Sequence, residues 1–272
     1  MRTKLISAPY TIWMTLFIIV PMGLVAFFAF TDKSGAFTLD NILRVGQYSN
    51  VFLRSIWLGA LATAISLLLG YPLAYTIAKA KANRQSIMIM LVMLPMWMNF
   101  LLRTYAWMSL LEDNGLINNM LVAIGLPRVH MINTAGAVVL GMVYNYIPYM
   151  ILPLYSVLTK IDNSVIEAAQ DLGANDRKVF LKVVFPMSMP GVISGITMVF
   201  VPAVSTFIIS KMLGGGGNLL IGDLIDMQFL GSAYNPNLGS AISLVLMVII
   251  LICMGIMNQF DDGESVGGGM IL

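Results

Sequence analysis

Apolar residues run almost unbroken through six windows of the chain, at about residues 10–30, 54–78, 87–110, 134–158, 189–212 and 238–260. Each can cross a hydrocarbon core of roughly 30 Å as helix, which takes about 20 residues. Polar and turn-forming residues gather between the windows, chiefly at about 31–53, 111–133, 159–188 and 213–237. The alternating ten-residue segments of a membrane barrel do not occur. Backbone groups in lipid must satisfy one another, so the pattern predicts an all-α membrane protein with about six transmembrane helices. Residues 1–272 read as a single transmembrane domain.

Composition sharpens this picture. Hydrophobic residues make up 58% of the 272 and charged residues only 10%, with mean hydropathy +0.86. A soluble domain of this size needs far more charged surface. Net charge is +2, and no basic block suits nucleic acid. The single cysteine, Cys253, excludes an internal disulfide and reads as a packed thiol. The opening Met1-Arg2-Thr3-Lys4-Leu5 resembles the start of a signal peptide, but the apolar run after it is long and lacks a clear cleavage site. An uncleaved anchor is expected.

The basic residues suggest an orientation. Arg2, Lys4, Lys79, Lys81, Arg84, Lys160, Arg177, Lys178 and Lys182 fall on one side of the predicted spans. Lys33, Arg44, Arg54, Arg103, Arg128 and Lys211 fall on the other, several at span ends where they can snorkel. The positive-inside rule makes the first side cytoplasmic, with both termini there. The tail after Gln259 carries Asp261, Asp262 and Glu264 among glycines and reads as flexible from about 261 to 272.

The polar segment 159–188 is unusual between two such spans. Ser164-Val165-Ile166-Glu167 fits a capping box, and Gly173 suits a left-handed helix end. Asn175 or Asp176 can cap a second helix with Val179, Phe180, Val183 and Val184 on its apolar side. Ala168 and Ala169 are small enough for another surface to approach closely. In the outer connection, "GGGGN" reads as a flexible hinge, since no Lys-Ser/Thr follows it to make a phosphate loop. "LLIGDLIDMQF" reads as a short helix dipping into the outer leaflet. No Walker-type sequence occurs, so the chain alone is no ATPase of that type.

Glu167-Ala168-Ala169, three residues, Gly173, nine residues, then Val183-Val184-Phe185-Pro186 resembles the "EAA" signature of permease subunits of ABC importers. Val183 and Phe185 stand where that signature expects Ile and Leu. "LPMWMNFLLRTYAWMSLL", "MVYNYIPYMILPLYSVL" and "NLLIGDLIDMQFL" look like the spermidine/putrescine permeases of that class. The acidic tail departs from the basic tails of the family.

The resemblance implies a type I ABC importer permease fold in a bacterial cytoplasmic membrane, with an EAA coupling-helix loop on the cytoplasmic side. It implies that Glu167, Ala168, Ala169, Leu172 and Gly173 form the contact with an ATPase. The chain itself would need no cofactor and catalyse nothing; ATP and Mg would sit on the partner ATPase dimer. A homologous second permease, an extracytoplasmic polyamine-binding protein and membrane lipid complete the partners.

Candidate path residues come from the spans. Trp97, Asn99 and Tyr105 lie in the third, Tyr144 and Asn145 in the fourth. Aromatics near span ends often form interfacial belts, whereas an amide deep in a span faces protein or water. Asp223 and Asp226 stand at the outer mouth, able to draw in a cation. Arg103 reads as snorkelling or structural because it would repel a polyamine. Pro95, Pro148 and Pro202 are expected to kink their helices. His130 is a lone loop histidine with no metal set around it.

An importer permease for another small solute is the nearest rival reading. A self-contained secondary transporter expects carboxylates at mid-membrane or inverted repeats, and neither is evident. A membrane enzyme would need a nucleophile–base pair or metal spacing, which the sequence does not offer.

Overall fold

The computed structural model describes residues 9–231 and 233–265. The described residues are helical, with no strand beyond an isolated bridge between Thr31 and Phe37. Among the described residues four helices are long and apolar enough to cross a membrane, and up to six spans result when each bent pair counts as one. Helix α1 is Pro9–Ala29, with a π-helical turn at Thr15–Ile19. The short α2, Asp40–Val45, leads into α3, Ser49–Ala78. At 30 residues α3 is roughly 45 Å long and outreaches the hydrocarbon core.

The third expected span is not continuous. Helix α4, Ala82–Trp97, and the helical stretch Phe100–Ala123 meet at 87°. That stretch comprises α5, Phe100–Leu111, and α6, Leu116–Ala123. Met98 is extended, and the Asn99 side chain accepts the Leu101 amide at 2.8 Å to start α5. Asn99 is therefore an exposed helix cap, not an amide deep in a span. Helix α7, Ala135–Leu158, holds Pro148 and Pro153 and is the most buried span.

Beyond α7 lie α8, Asn163–Asp171, and α9, Asp176–Met187, whose last turns pass through a π segment at Phe180–Val184. Helix α10, Met189–Ser205, leaves α9 at a 62° bend. It ends earlier than the fifth window suggested, because Thr206 turns extended and Ile208–Leu213 forms a separate helix, α11. The expected short helix is α12, Ile221–Phe229. Helix α13, Pro236–Ser265, runs past the predicted end of the last span. Arg2, Lys4 and residues 266–272 of the expected flexible tail lie outside the described residues.

Helices α3, α7 and α10 pack pairwise at the centre. Small residues at the crossings permit the approach. A Cβ on Gly191 of α10 would lie 3.1 Å from the Pro153 carbonyl oxygen and 3.2 Å from Leu154 Cα, both backbone atoms of α7. Met142, Met150, Leu154 and Val199 fill the space between. A second cluster, with Ala29, Phe52, Ile221 and Ile242, joins α1, α3, α12 and α13.

The glycine run is docked, contrary to the expected free hinge. A Cβ at Gly214 would fall 2.8 Å from Val138 Cγ2, and Gly215 has φ +57 against Asn133. Arg54 donates to the Gly217 carbonyl at 2.8 Å and to the Asn218 side chain, so it latches this loop to α3 and does not snorkel. Asn218 itself is buried and donates to Asn133 and Gly214 carbonyls.

Candidate coupling segment and solute path

The 159–188 segment has a defined geometry. Asp162, not Ser164, caps α8: its carboxylate accepts the Ser164 amide at 3.0 Å. That bond holds the Asp162 carboxyl below its ordinary range. The expected capping box is thus replaced by a simple cap two residues earlier, because an Asp at Ncap can reach the second amide of the turn while Val165 at N3 cannot reach back. At the other end Gly173 donates to Gln170 O at 2.8 Å and Ala174 to Ala169 O at 3.1 Å. With Gly173 at φ +82, these two bonds form a Schellman ending. Asn175 then caps α9 by accepting the Lys178 amide at 2.9 Å.

Exposure divides α8 into two faces. Ile166 and Ala169 are partly buried and pack on the main core. Val165, Glu167, Ala168 and Leu172 are exposed, Leu172 at 89%. Ala169 is accordingly a seating residue facing its own fold, which corrects its placement on the docking face. Leu172 thus stands free of its own fold beside Ala168 and Val165.

Four rings fasten this segment to α3. Phe180 meets Tyr71 and Tyr75 edge-on at centroid distances of 5.7 and 5.6 Å, and Phe185 lies 5.8 Å from Tyr71. The Tyr71 hydroxyl is 2.8 Å from Ser188 Oγ, which donates to Phe185 O at 2.8 Å. Edge-to-face ring pairs add about 0.5–1.5 kcal/mol each beyond burial. The sequence reading missed this cluster. Its signal was the i, i+4 pair Tyr71 and Tyr75 at one end of a span, which places two rings on one helical face.

The path candidates are scattered more widely than the sequence implied. Trp97 and Tyr105 are 72% and 53% exposed, one on either side of the 98–99 break. Tyr144 stacks edge-on with Trp107 at 5.3 Å, and both line an apolar groove of about 730 Å³ together with Trp57. Asn145, the next residue, turns away: it is buried and donates to Gly141 O at 2.8 Å within its own helix. Asp223 is 4% exposed and accepts the Leu220 amide at 2.9 Å, capping α12. Asp226 pairs with Lys211 at 3.0 Å. Each carboxylate thus has a partner within the fold, and both line a small cavity of about 150 Å³ with Lys211. Arg103 is buried at 7% exposure, with Phe100 beside its guanidinium at 5.9 Å, rather than snorkelling.

The comparisons match this architecture. Residues 85–263 match the family described as "Binding-protein-dependent transport system inner membrane component". The chain is 37% identical over 248 residues to the Haemophilus influenzae "Spermidine/putrescine transport system permease protein PotB", covering 88% of this chain and 86% of that one. The Escherichia coli (strain K12) protein of the same name is 35% identical, over 88% and 90%. Among solved structures, a bacterial ABC transporter involved in alginate import superposes with TM-score 0.77 at 20% identity, covering 95% of both chains. That likeness concerns the fold. With the two bent spans, the central three-helix packing and the 159–188 segment in place, the chain belongs to the binding-protein-dependent inner membrane components, the permease subunits of ABC importers.

Proposed function

We propose that this chain forms one half of a polyamine path across the bacterial cytoplasmic membrane, with the 159–188 segment in the cytoplasm against a partner ATPase. The similarity to spermidine/putrescine permeases over 88% of the chain carries this reading. A homologous permease would close the path, an ATPase dimer would hold ATP and Mg, and an external binding protein would deliver the polyamine. The exposed face of Val165, Ala168 and Leu172 supports the ATPase contact. The test is reconstitution of the full complex with its binding protein, measuring ATP hydrolysis against a panel of polyamines, other amines and anions. Stimulation by spermidine or putrescine supports the reading; stimulation confined to another solute replaces it.

Orientation is checked separately. In a Cys253→Ser background, a cysteine at the exposed Gly217 should be labelled from outside the cell, and one at the exposed Gln170 only after permeabilisation. The opposite pattern inverts the assignment.

The aromatic surfaces around Trp97, Tyr105 and Tyr144 suit a cation spaced by methylenes, because a ring contacts both ammonium and chain. Each cation–π contact contributes about 0.5–2 kcal/mol, enough to guide a polyamine without trapping it. Tyr144→Ala should lower uptake by about a factor of 2–30 on that scale, with complex assembly intact. Equal uptake in Tyr144→Ala, Trp97→Ala and Tyr105→Ala would place the path elsewhere.

A further inference from the structure

The connection between α3 and α4 carries three cations, Lys79, Lys81 and Arg84, that the transport reading uses only to set orientation. Lys79 ends α3 and lies 4.4 Å from the Tyr75 ring centre. Lys81 stands at the start of α4 without a side-chain cap, and Arg84 is one turn further. All three are exposed, and none forms an ion pair among the described residues, where the ion pairs are His130–Asp113 and Lys211–Asp226. Two cavities share Tyr75, Lys79 and Ala80. One, of about 460 Å³, is lined also by Lys81 and Arg84 and has no acidic residue. The other, of about 510 Å³, extends to Ile161, Asn163 and Ile166 of the 159–188 segment.

The site is built, not loose. Gln85 donates to Ala78 O at 2.9 Å and Ala80 O at 2.8 Å, closing the connection, and accepts the Tyr155 hydroxyl of α7 at 3.1 Å. These bonds fix the backbone that carries the two lysines and the arginine.

What lies beside the cations identifies the ligand. Arg84, Ile87, Leu91 and Leu94 follow one another at helical spacing along one stripe of α4. The three apolar members are 56%, 57% and 45% exposed, and no residue of α4 is buried. A cationic pocket at the head of an exposed apolar stripe fits a molecule with an anionic head and long hydrocarbon chains. A soluble phosphate would have no use for the stripe, and an acidic protein surface would not lie along it.

We propose that the α3–α4 connection is a binding site for an anionic phospholipid, its phosphate held by Lys79, Lys81 and Arg84 and its acyl chains along Ile87, Leu91 and Leu94. Basic residues near a membrane surface contribute about 1 kcal/mol each toward anionic lipid. The headgroup would sit against the end of α3, and Lys79 also lines the neighbouring cavity that reaches the 159–188 segment.

The test uses the assembled transporter in nanodiscs of phosphatidylglycerol and phosphatidylcholine, followed by native mass spectrometry of retained lipid. Phosphatidylglycerol should be retained in preference, and Lys81→Gln/Arg84→Gln should weaken that retention about 30-fold, the equivalent of about 2 kcal/mol. Arg84→Lys should retain most of it, which guards against a variant that merely misfolds. Equal retention of both lipids overturns the proposal. So does unchanged phosphatidylglycerol retention in the double variant, or its displacement by millimolar inorganic phosphate, which would mark a free-anion site. Loss of the ATPase in place of the lipid would assign the cations to a protein contact and overturn it as well.

Discussion

Gly173→Val is expected to lower uptake about 5–30-fold while the permease remains in the membrane. Gly173 holds φ +82 and donates the bond that ends α8, with Ala174 making the second. Forcing an L side chain into the left-handed region costs about 1–2 kcal/mol, and a β-branched one is worse placed still. The added side chain itself meets nothing within 4 Å, so crowding is not the cause. The chain instead leaves the left-handed region and loses the Schellman ending, and Leu172 moves with it. A penalty of 1–2 kcal/mol shifts the seated fraction of the helix by roughly 5–30-fold. Labelled-polyamine uptake by cells, compared with permease content of the membrane, reads the effect. Gly173→Asn is the control, since Asn tolerates this conformation, and should keep most activity. Full uptake by the valine variant would mean that the end of α8 is not a tight contact.

Phe180→Ala is expected to uncouple hydrolysis from uptake. The ring joins Tyr71, Tyr75 and Phe185, and its removal leaves α9 held to α3 mainly through Tyr71 and Ser188. Truncating a core Phe costs about 3–5 kcal/mol, and Phe180 is half-buried, so the lower end applies. The loss falls on the fastening between segments and leaves the outer face of α8 intact. The assembled complex should therefore still hydrolyse ATP, with its stimulation by loaded binding protein and its uptake both much reduced. Phe180→Leu, which keeps apolar volume, should recover part of the coupling. Stimulated hydrolysis equal to that of the parent would show that force does not pass through these rings.

Much of this architecture is legible in the sequence. Spans one, two, four and six are continuous apolar runs, and each became a helix near its predicted place. The third window hides a bend, and the fifth hides a helix break at Thr206. Pro95 followed by Asn99 announced the first, a helix end and a cap, yet apolar residues on both sides kept hydropathy high across it. Hydropathy reports depth, not direction. The end of α8 and the start of α9 were legible through Gly173 and Asn175, whereas the facing of Ala169 depends on which side of α8 meets the core. Asp223 and Asp226 looked free because their partners, the Leu220 amide and Lys211, are local features of a loop whose fold the pattern does not specify. Arg54 and Arg103 likewise depended on contacts distant in sequence or on packing around α5.

Helix α3 is held at both extremities, by Arg54 to the glycine loop and by Tyr71 and Tyr75 to the Phe180 segment. A rod roughly 45 Å long, gripped this way and packed along α7 and α10, can carry a tilt from one end to the other. Tilting it by about 5° moves each tip by roughly 2 Å in opposite senses, without bending any helix. The glycine loop would then report the attitude of the 159–188 segment to the far side of the membrane. By reciprocity, whatever presses on that loop returns the same work to the other tip.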